Sequence, residues 1–207
     1  MTESAAFAAA FPVSRETLER LETFAALLLR WNARINLVGR STEADLWTRH
    51  IADSAQLWRL HAPTKGLWAD LGSGAGFPGL VIAALAAETA PDLRIALVES
   101  DARKCAFLIE AARAMSLSPT IRTERIEAMP PLQADVLSAR ALASLETLLE
   151  FAAKHRRSDG IALFPKGETV HKEIKAAAQK WRFEHRIHAS VTDPRAAIVE
   201  VGALSRV

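Results

Sequence analysis

The 207-residue sequence predicts an α/β fold: an open, mostly parallel sheet with helices on both faces, an antiparallel hairpin at the end and a helical extension at the N-terminus. Three observations predict it. From Leu67 onward, short apolar runs alternate with segments of helical periodicity, as in βαβ units. A glycine-rich loop, Gly72-Ser73-Gly74-Ala75-Gly76, joins the first such strand to its helix. The last two strand-like runs, 183–191 and 196–204, are separated only by a turn around Asp193-Pro194, which forces them to pair antiparallel.

The elements follow in order. Ser14 is placed to cap a helix whose Leu18, Leu21, Phe24, Ala25, Leu28 and Leu29 recur at steps of three and four. A second helical segment is expected over 42–60. The stretch from His61 to Gly66, with Pro63 inside it, breaks that pattern and sets a boundary between a helical extension, 1–65, and an α/β domain, 66–207. Within the domain the expectation is strand 67–71, helix 78–88, strand 93–99, helix 103–115, short strand 120–123, strand 134–138, helix 144–154, strand 160–164, helix 172–180 and the hairpin.

Composition excludes several classes. Half of the residues are apolar and 24% are charged, the ordinary globular balance, and the net charge is only +2. That permits nucleic-acid contact without arguing for it. A single cysteine, Cys105, forms no intramolecular disulfide and fits a reducing compartment. The N-terminus lacks a basic n-region, and no apolar run reaches the ~20 residues of a membrane span. A soluble, cytoplasmic protein is expected. The six histidines are scattered, so no metal site is expected. No feature fixes the oligomeric state; a monomer is the expectation.

Four glycines between Gly72 and Gly79 exceed what a turn requires. Ligands of open α/β sheets bind beyond the carboxyl ends of the strands, where this loop lies, and the following helix start is expected to offer free amides. Gly74-x-Gly76-x-x-Gly79 formally satisfies the dinucleotide fingerprint, which is weak alone. Asp70 would set negative charge beside the loop, unfavourable for a pyrophosphate and favourable for a cation. Pro78 also lacks a backbone N–H where a dinucleotide helix would present one. S-adenosylmethionine carries a sulfonium, an ammonium and no phosphate. Glu99, ending the second strand, can accept from ribose hydroxyls, in either NAD or S-adenosylmethionine.

The motifs WNARINLV, RHIADS, DLGSGAGFPG, RKCAFL, SARALASL and FPKG occur in this order. With them the chain resembles the bacterial 16S ribosomal RNA guanine-N7 methyltransferase family, also called the glucose-inhibited division protein B family, from about Leu18 to Val201. The resemblance implies a class I methyltransferase fold with seven strands, S-adenosyl-L-methionine as cofactor, and 16S ribosomal RNA or the 30S subunit as partner. It implies cofactor contacts at Gly72, Phe77, Ile126, Glu127 and Arg140, with Asp70, Gly74 and Glu99 matching the wider class. It places Lys166 on the substrate side, and Asn36 and His50 at family positions of undefined role. Val38 stands where the family's first motif has threonine, and Phe164-Pro165 precede Lys166 where other members often have alanine and leucine.

The chemistry fits. Methyl transfer from a sulfonium is an in-line displacement that needs alignment above all. Guanine N7 has an in-plane lone pair and no proton, so no general base is required and none is assigned. Methylation at pyrimidine C5 would need a thiolate; Cys105 sits in an apolar helical run and reads as structural. The Asn/Asp-Pro-Pro-aromatic motif of amine methylation is absent from Ser138-Ala139-Arg140-Ala141. Arg140 can reach guanine O6, a phosphate or the cofactor carboxylate, and Lys166 can reach O6 or a phosphate. Arg30, Arg34, Arg40, Arg49, Lys65, Arg122, Arg125, His155, Arg156 and Arg157 either track RNA phosphates around the pocket or are solvated faces. Trp31 and Trp47 read as core. The competing readings are a small-molecule methyltransferase, a non-catalytic cofactor-binding module and an NAD-dependent enzyme.

Overall fold

A computed structural model describes residues 2–207. Helices α1 (Glu3–Ala10) and α2 (Arg15–Asn32) open the chain. Strands β1 (Lys65–Leu71), β2 (Asp92–Glu99), β3 (Thr120–Thr123), β4 (Ala134–Ser138), β5 (Arg156–Lys166), β6 (Trp181–Ala189) and β7 (Ala197–Arg206) form one sheet in the order β3-β2-β1-β4-β5-β7-β6. The first five strands run parallel. β7 inserts antiparallel between β5 and β6, so the terminal hairpin pairs as expected. Helices α4 (Gly79–Thr89), α5 (Ala102–Ala114), α6 (Leu145–His155) and α7 (Val170–Ala177) connect the strands.

Local chemistry explains the boundaries. Ser14 Oγ accepts from Thr17 N, 3.1 Å, and so caps α2; Asp101 and Ser144 cap α5 and α6 the same way. α4 is apolar all round because it is buried all round, from Gly79 to Ala86. Helix α1 lies within the extension expected to be helical, although its alanine-rich stretch has no periodic apolar face to fix its limits.

The expected helix over 42–60 is corrected. A 3₁₀ turn at Arg40–Thr42, a π-helical turn at Trp47–Ala52 and α3 (Asp53–Leu60) replace it. Widened turns of this kind recur where a side chain must be re-aimed, and His50 and Asp53 lie on this one and at its end.

The extension packs directly on the sheet domain. Phe24 is fully buried, its ring 5.1 Å from Phe77 and 6.3 Å from Phe107. Trp31 meets Phe107 edge-on at 5.7 Å, and Trp47 packs on Phe7 at 5.5 Å, so both tryptophans serve the core. Phe24 thus joins α2 to the ring that follows the glycine loop. Phe24→Ala is expected to cost about 3–5 kcal/mol in urea unfolding; a cost below about 1 kcal/mol would show that the extension is not integral to the core.

Candidate active site at the sheet switch point

β1 is flanked by β2 and β4, so the strand order reverses beside it and leaves a crevice at the carboxyl ends. The glycine loop fills one wall. Gly72 and Gly74 have φ of +67° and +52°, a region that favours glycine. A Cβ at Gly72 would meet Leu142 at 2.6 Å, whereas one at Gly74 would meet only Gly72 O, at an ordinary 3.7 Å. The resulting cavity has a volume of about 640 Å³. Gly72, Gly74, Phe77, Glu99, Ile126, Glu127 and Arg140 all line it.

Asp70 is placed differently. It is fully buried beneath the loop, away from the cavity wall. Its Oδ2 accepts from Gly79 N at 3.2 Å, and its Oδ1 accepts from Ser138 Oγ at 2.8 Å. Burial pushes its pKa up to about 6, against the opposing pull of these hydrogen bonds. The expectation of free amides at the α4 start is therefore corrected: Gly79 N is held by Asp70, and Leu80 N by Gly76 O at 2.8 Å. With Pro78 lacking an N–H, the leading amides of α4 are not offered to a pyrophosphate. The first wall suits a ligand without phosphates.

Glu99 holds the loop from the second strand. Its Oε2 accepts from Gly74 N at 2.9 Å and its Oε1 from Asp101 N at 2.8 Å. Each oxygen retains a lone pair for a ligand hydroxyl. Cys105 donates from Sγ to Glu99 O at 3.2 Å and is buried, in keeping with a structural role.

Arg140 follows β4 and is the hub of the far wall. Its Nη2 donates to His50 Nδ1 at 2.9 Å, and its Nη1 lies 3.3 Å from Arg49 O and 3.5 Å from Asp53 Oδ2. His50 stacks on Phe77 at 5.1 Å, and the guanidinium of Arg140 lies 5.1 Å from the same ring. His50 Nε2 pairs with Thr42 Oγ1 at 2.9 Å. Burial, then the cations Arg140 and Arg49, push the His50 pKa down to about 4. A neutral ring leaves Nδ1 free to accept from Arg140 and sends the Nε2 proton to Thr42.

A second hollow of about 380 Å³ adjoins the first. His50, Arg140 and Ala141 line both, and Asp53, Lys166 and Glu173 line the second alone. Lys166 Nζ donates to Ala143 O at 3.0 Å and pairs with Glu173 Oε2 at 2.6 Å. Asn36 joins neither hollow; it is exposed in a separate depression beside Arg34, Arg103 and Lys104. Its neighbour Asn32, which the sequence reading passed over, orders the segment instead. Asn32 Nδ2 donates to Val38 O at 3.1 Å and Asn32 Oδ1 accepts from Leu37 N at 2.7 Å, setting Leu37 and Val38 on the cavity wall. Val38 is itself buried, which accommodates its departure from the family's threonine.

The basic residues divide. Arg49 lines the second hollow and Arg125 the first. Lys65, His155, Arg156 and Arg157 lie at the starts of β1 and β5, the opposite end of the parallel strands, so they do not track RNA around the pocket. His155 is fully buried, its Nε2 donating to Ile126 O at 3.0 Å. Asp53, Gln56 and Thr192 were also passed over; RHIADS contained Asp53, but only the fold brings Thr192 to it. Among the described residues no cluster of metal-ligating side chains occurs, and no helix is long and apolar enough to cross a membrane.

A sheet of this order, with a glycine loop at its switch point and β7 inserted antiparallel, defines a class I S-adenosylmethionine-dependent methyltransferase fold. Solved structures agree. A putative S-adenosyl-L-methionine-dependent methyltransferase from Methanococcus maripaludis superposes with TM-score 0.58 at 12% identity, covering 86% of this chain and 91% of that one. TYW2 from P. horikoshii, in complex with MeSAdo, gives 0.54 at 14% identity, covering 76% and 62%. These likenesses concern the fold alone. Sequence comparison goes further: the chain belongs to the GidB family, rRNA small subunit methyltransferase G, whose profile matches residues 17–199. Ribosomal RNA small subunit methyltransferase G of Cereibacter sphaeroides (strain ATCC 17025) is 53% identical over 97% of this chain and 96% of its own length. Its counterpart from Ruegeria sp. (strain TM1040) is 53% identical over 94% and 95%.

The His50 environment carries a sign that can be measured. Unfolded, the ring protonates near 6.5; folded, near 4. Stability from this group is therefore lost as pH falls through that window. Asp70 acts oppositely, adding stability as pH falls from about 6 towards 3.8. In an NMR titration His50 is expected to stay neutral at pH 5.5, with a midpoint near 4. A midpoint near 6.5 would contradict the Arg140–His50 hydrogen bond.

Proposed function

We propose that this chain transfers the methyl group of S-adenosylmethionine to N7 of a guanine in 16S ribosomal RNA, acting in the cytoplasm as a monomer on the RNA or on the 30S subunit. The observation that carries the reading is the pair of adjoining hollows that share Arg140, His50 and Ala141 as a common wall. One suits the methyl donor and the other the base, and family membership names the kind of RNA. The residues of the first hollow fit the donor: a glycine wall backed by a helix whose first amide is taken by Asp70, an acidic residue at the second strand end, and an apolar side formed by Phe77 and Ile126. When bound, S-adenosylmethionine supplies an electrophilic methyl on a positively charged sulfur.

The protein's task is alignment and charge management. No side chain has to remove a proton, because N7 bears none, and His50 is committed to Arg140 rather than poised as a base. Arg140 is fixed by three partners and by the face of Phe77, so its position at the shared wall is set before substrate arrives. Its remaining N–H groups can hold O6 of the guanine, a phosphate or the donor's carboxylate. Methylation moves a positive charge onto the guanine ring. Asp53 and Glu173 line the hollow that receives it and offset that charge. Lys166, anchored by Glu173, is positioned for O6 or a phosphate. We assign Gly72, Gly74, Phe77, Glu99, Ile126, Glu127 and Arg140 to the donor, Asp70 to support of the loop, His50 to holding Arg140, and Lys166 to the substrate.

Incubation with methyl-labelled S-adenosylmethionine and 30S subunits from a strain lacking the modification is expected to place label on a guanine N7. Turnover should fall as salt rises, as phosphate-driven binding requires. Label on a small molecule, on protein or on another base atom would overturn the assignment.

A further inference from the structure

The second hollow contains an acceptor that chemistry at N7 does not need. Asp53 begins α3, and its side chain is 17% exposed where it lines that hollow. Its two oxygens are unequal. Oδ1 accepts from Gln56 Nε2 at 2.8 Å and from Thr192 Oγ1 at 3.0 Å. Oδ2 has only the long 3.5 Å contact with Arg140 Nη1. A carboxylate oxygen accepts about two hydrogen bonds, so Oδ2 retains capacity beside the cations that line the same space.

Guanine presents opposite chemistry on its two edges. O6 and N7 accept, whereas N1–H and the exocyclic N2 amino group donate. If N7 is turned towards the donor hollow, the N1/N2 edge points away from it, into the second one. Resting on the guanine-N7 reading above, we infer that Asp53 determines base specificity: its Oδ2 accepts a hydrogen bond from the N2 amino group of the target guanine. Adenine has no amino group at that position and turns the N1 lone pair towards the same carboxylate, so it is rejected by an unpaired buried acceptor.

Gln56 and Thr192 sharpen the argument. Both hold Oδ1, and Gln56 Nε2 can only donate to an oxygen. In Asp53→Asn the amide oxygen therefore stays at Gln56, and Nδ2 turns towards the hollow. There it opposes the N2 amino group with another donor.

The test compares RNA substrates carrying guanine or inosine at the methylated position, since inosine lacks only N2. Wild-type enzyme is expected to favour guanine by about tenfold or more in kcat/KM. Asp53→Asn is expected to lower both values, because Arg140 loses a partner, but to lower the guanine value further, so that the preference is lost. Equal losses on both substrates would show that Asp53 only positions Arg140 and would overturn the inference. Equal turnover of guanine and inosine by an active wild-type enzyme would also overturn it, whatever the variant does. A wild-type enzyme that methylates no guanine would remove the reading of function itself.

Discussion

The buried carboxylate of Asp70 is the constraint on which the site depends. It lies one residue before the end of β1, takes the first amide of α4 and takes the hydroxyl of Ser138 at the end of β4. Ser138 Oγ in turn accepts from Trp68 Nε1 at 2.9 Å, one of the largest fully buried side chains. Three chain segments that must diverge to open the crevice are thereby held at fixed spacing. Ser73 Oγ adds a bond to the Asp70 carbonyl at 3.0 Å, closing the loop onto the same residue. A fully buried acid is costly unless hydrogen-bonded. Here each oxygen has a partner, and the raised pKa records the desolvation that remains.

From this fixed floor the far wall is built by the extension. The wide turn at Trp47–Ala52 delivers His50 to Phe77 and to Arg140, and the start of α3 delivers Asp53. The helical extension is thus part of the wall around the site. The turn between β6 and β7 completes it: Thr192 bonds Asp53, and Val191 N donates to Gln56 Oε1 at 3.0 Å. Segments more than a hundred residues apart converge on one hydrogen-bonded cluster around the second hollow.

Much of this was legible in the sequence, and for physical reasons. Alternating βα periodicity carries its own length scale, so the short strands at Thr120–Thr123 and Ala134–Ser138 match their expected limits. The hairpin followed from the brevity of its turn. The glycine loop and Glu99 were visible because close approach and ribose recognition need particular residue types at strand ends. What was hidden depends on three-dimensional proximity or on weak local signals. The π turn has no distinctive composition, α1 has no amphipathic period to fix its limits, and the opposite-end location of Arg156 follows from strand direction rather than from charge. Asp70 was noticed for its charge, yet its contacts are backbone and hydroxyl groups that only the packed switch point brings within reach.

The most direct test of the account is cofactor binding when the Asp70 carboxylate is neutralised. Asp70→Asn keeps the size of the side chain but has one acceptor oxygen where the carboxylate has two, so it cannot accept from both Gly79 N and the Ser138 hydroxyl. Calorimetric titration with S-adenosylhomocysteine is predicted to show at least a roughly tenfold loss of affinity, the cost of one misplaced buried hydrogen bond transmitted to the loop. Wild-type affinity in that variant would contradict the claim that this carboxylate sets the geometry of the site.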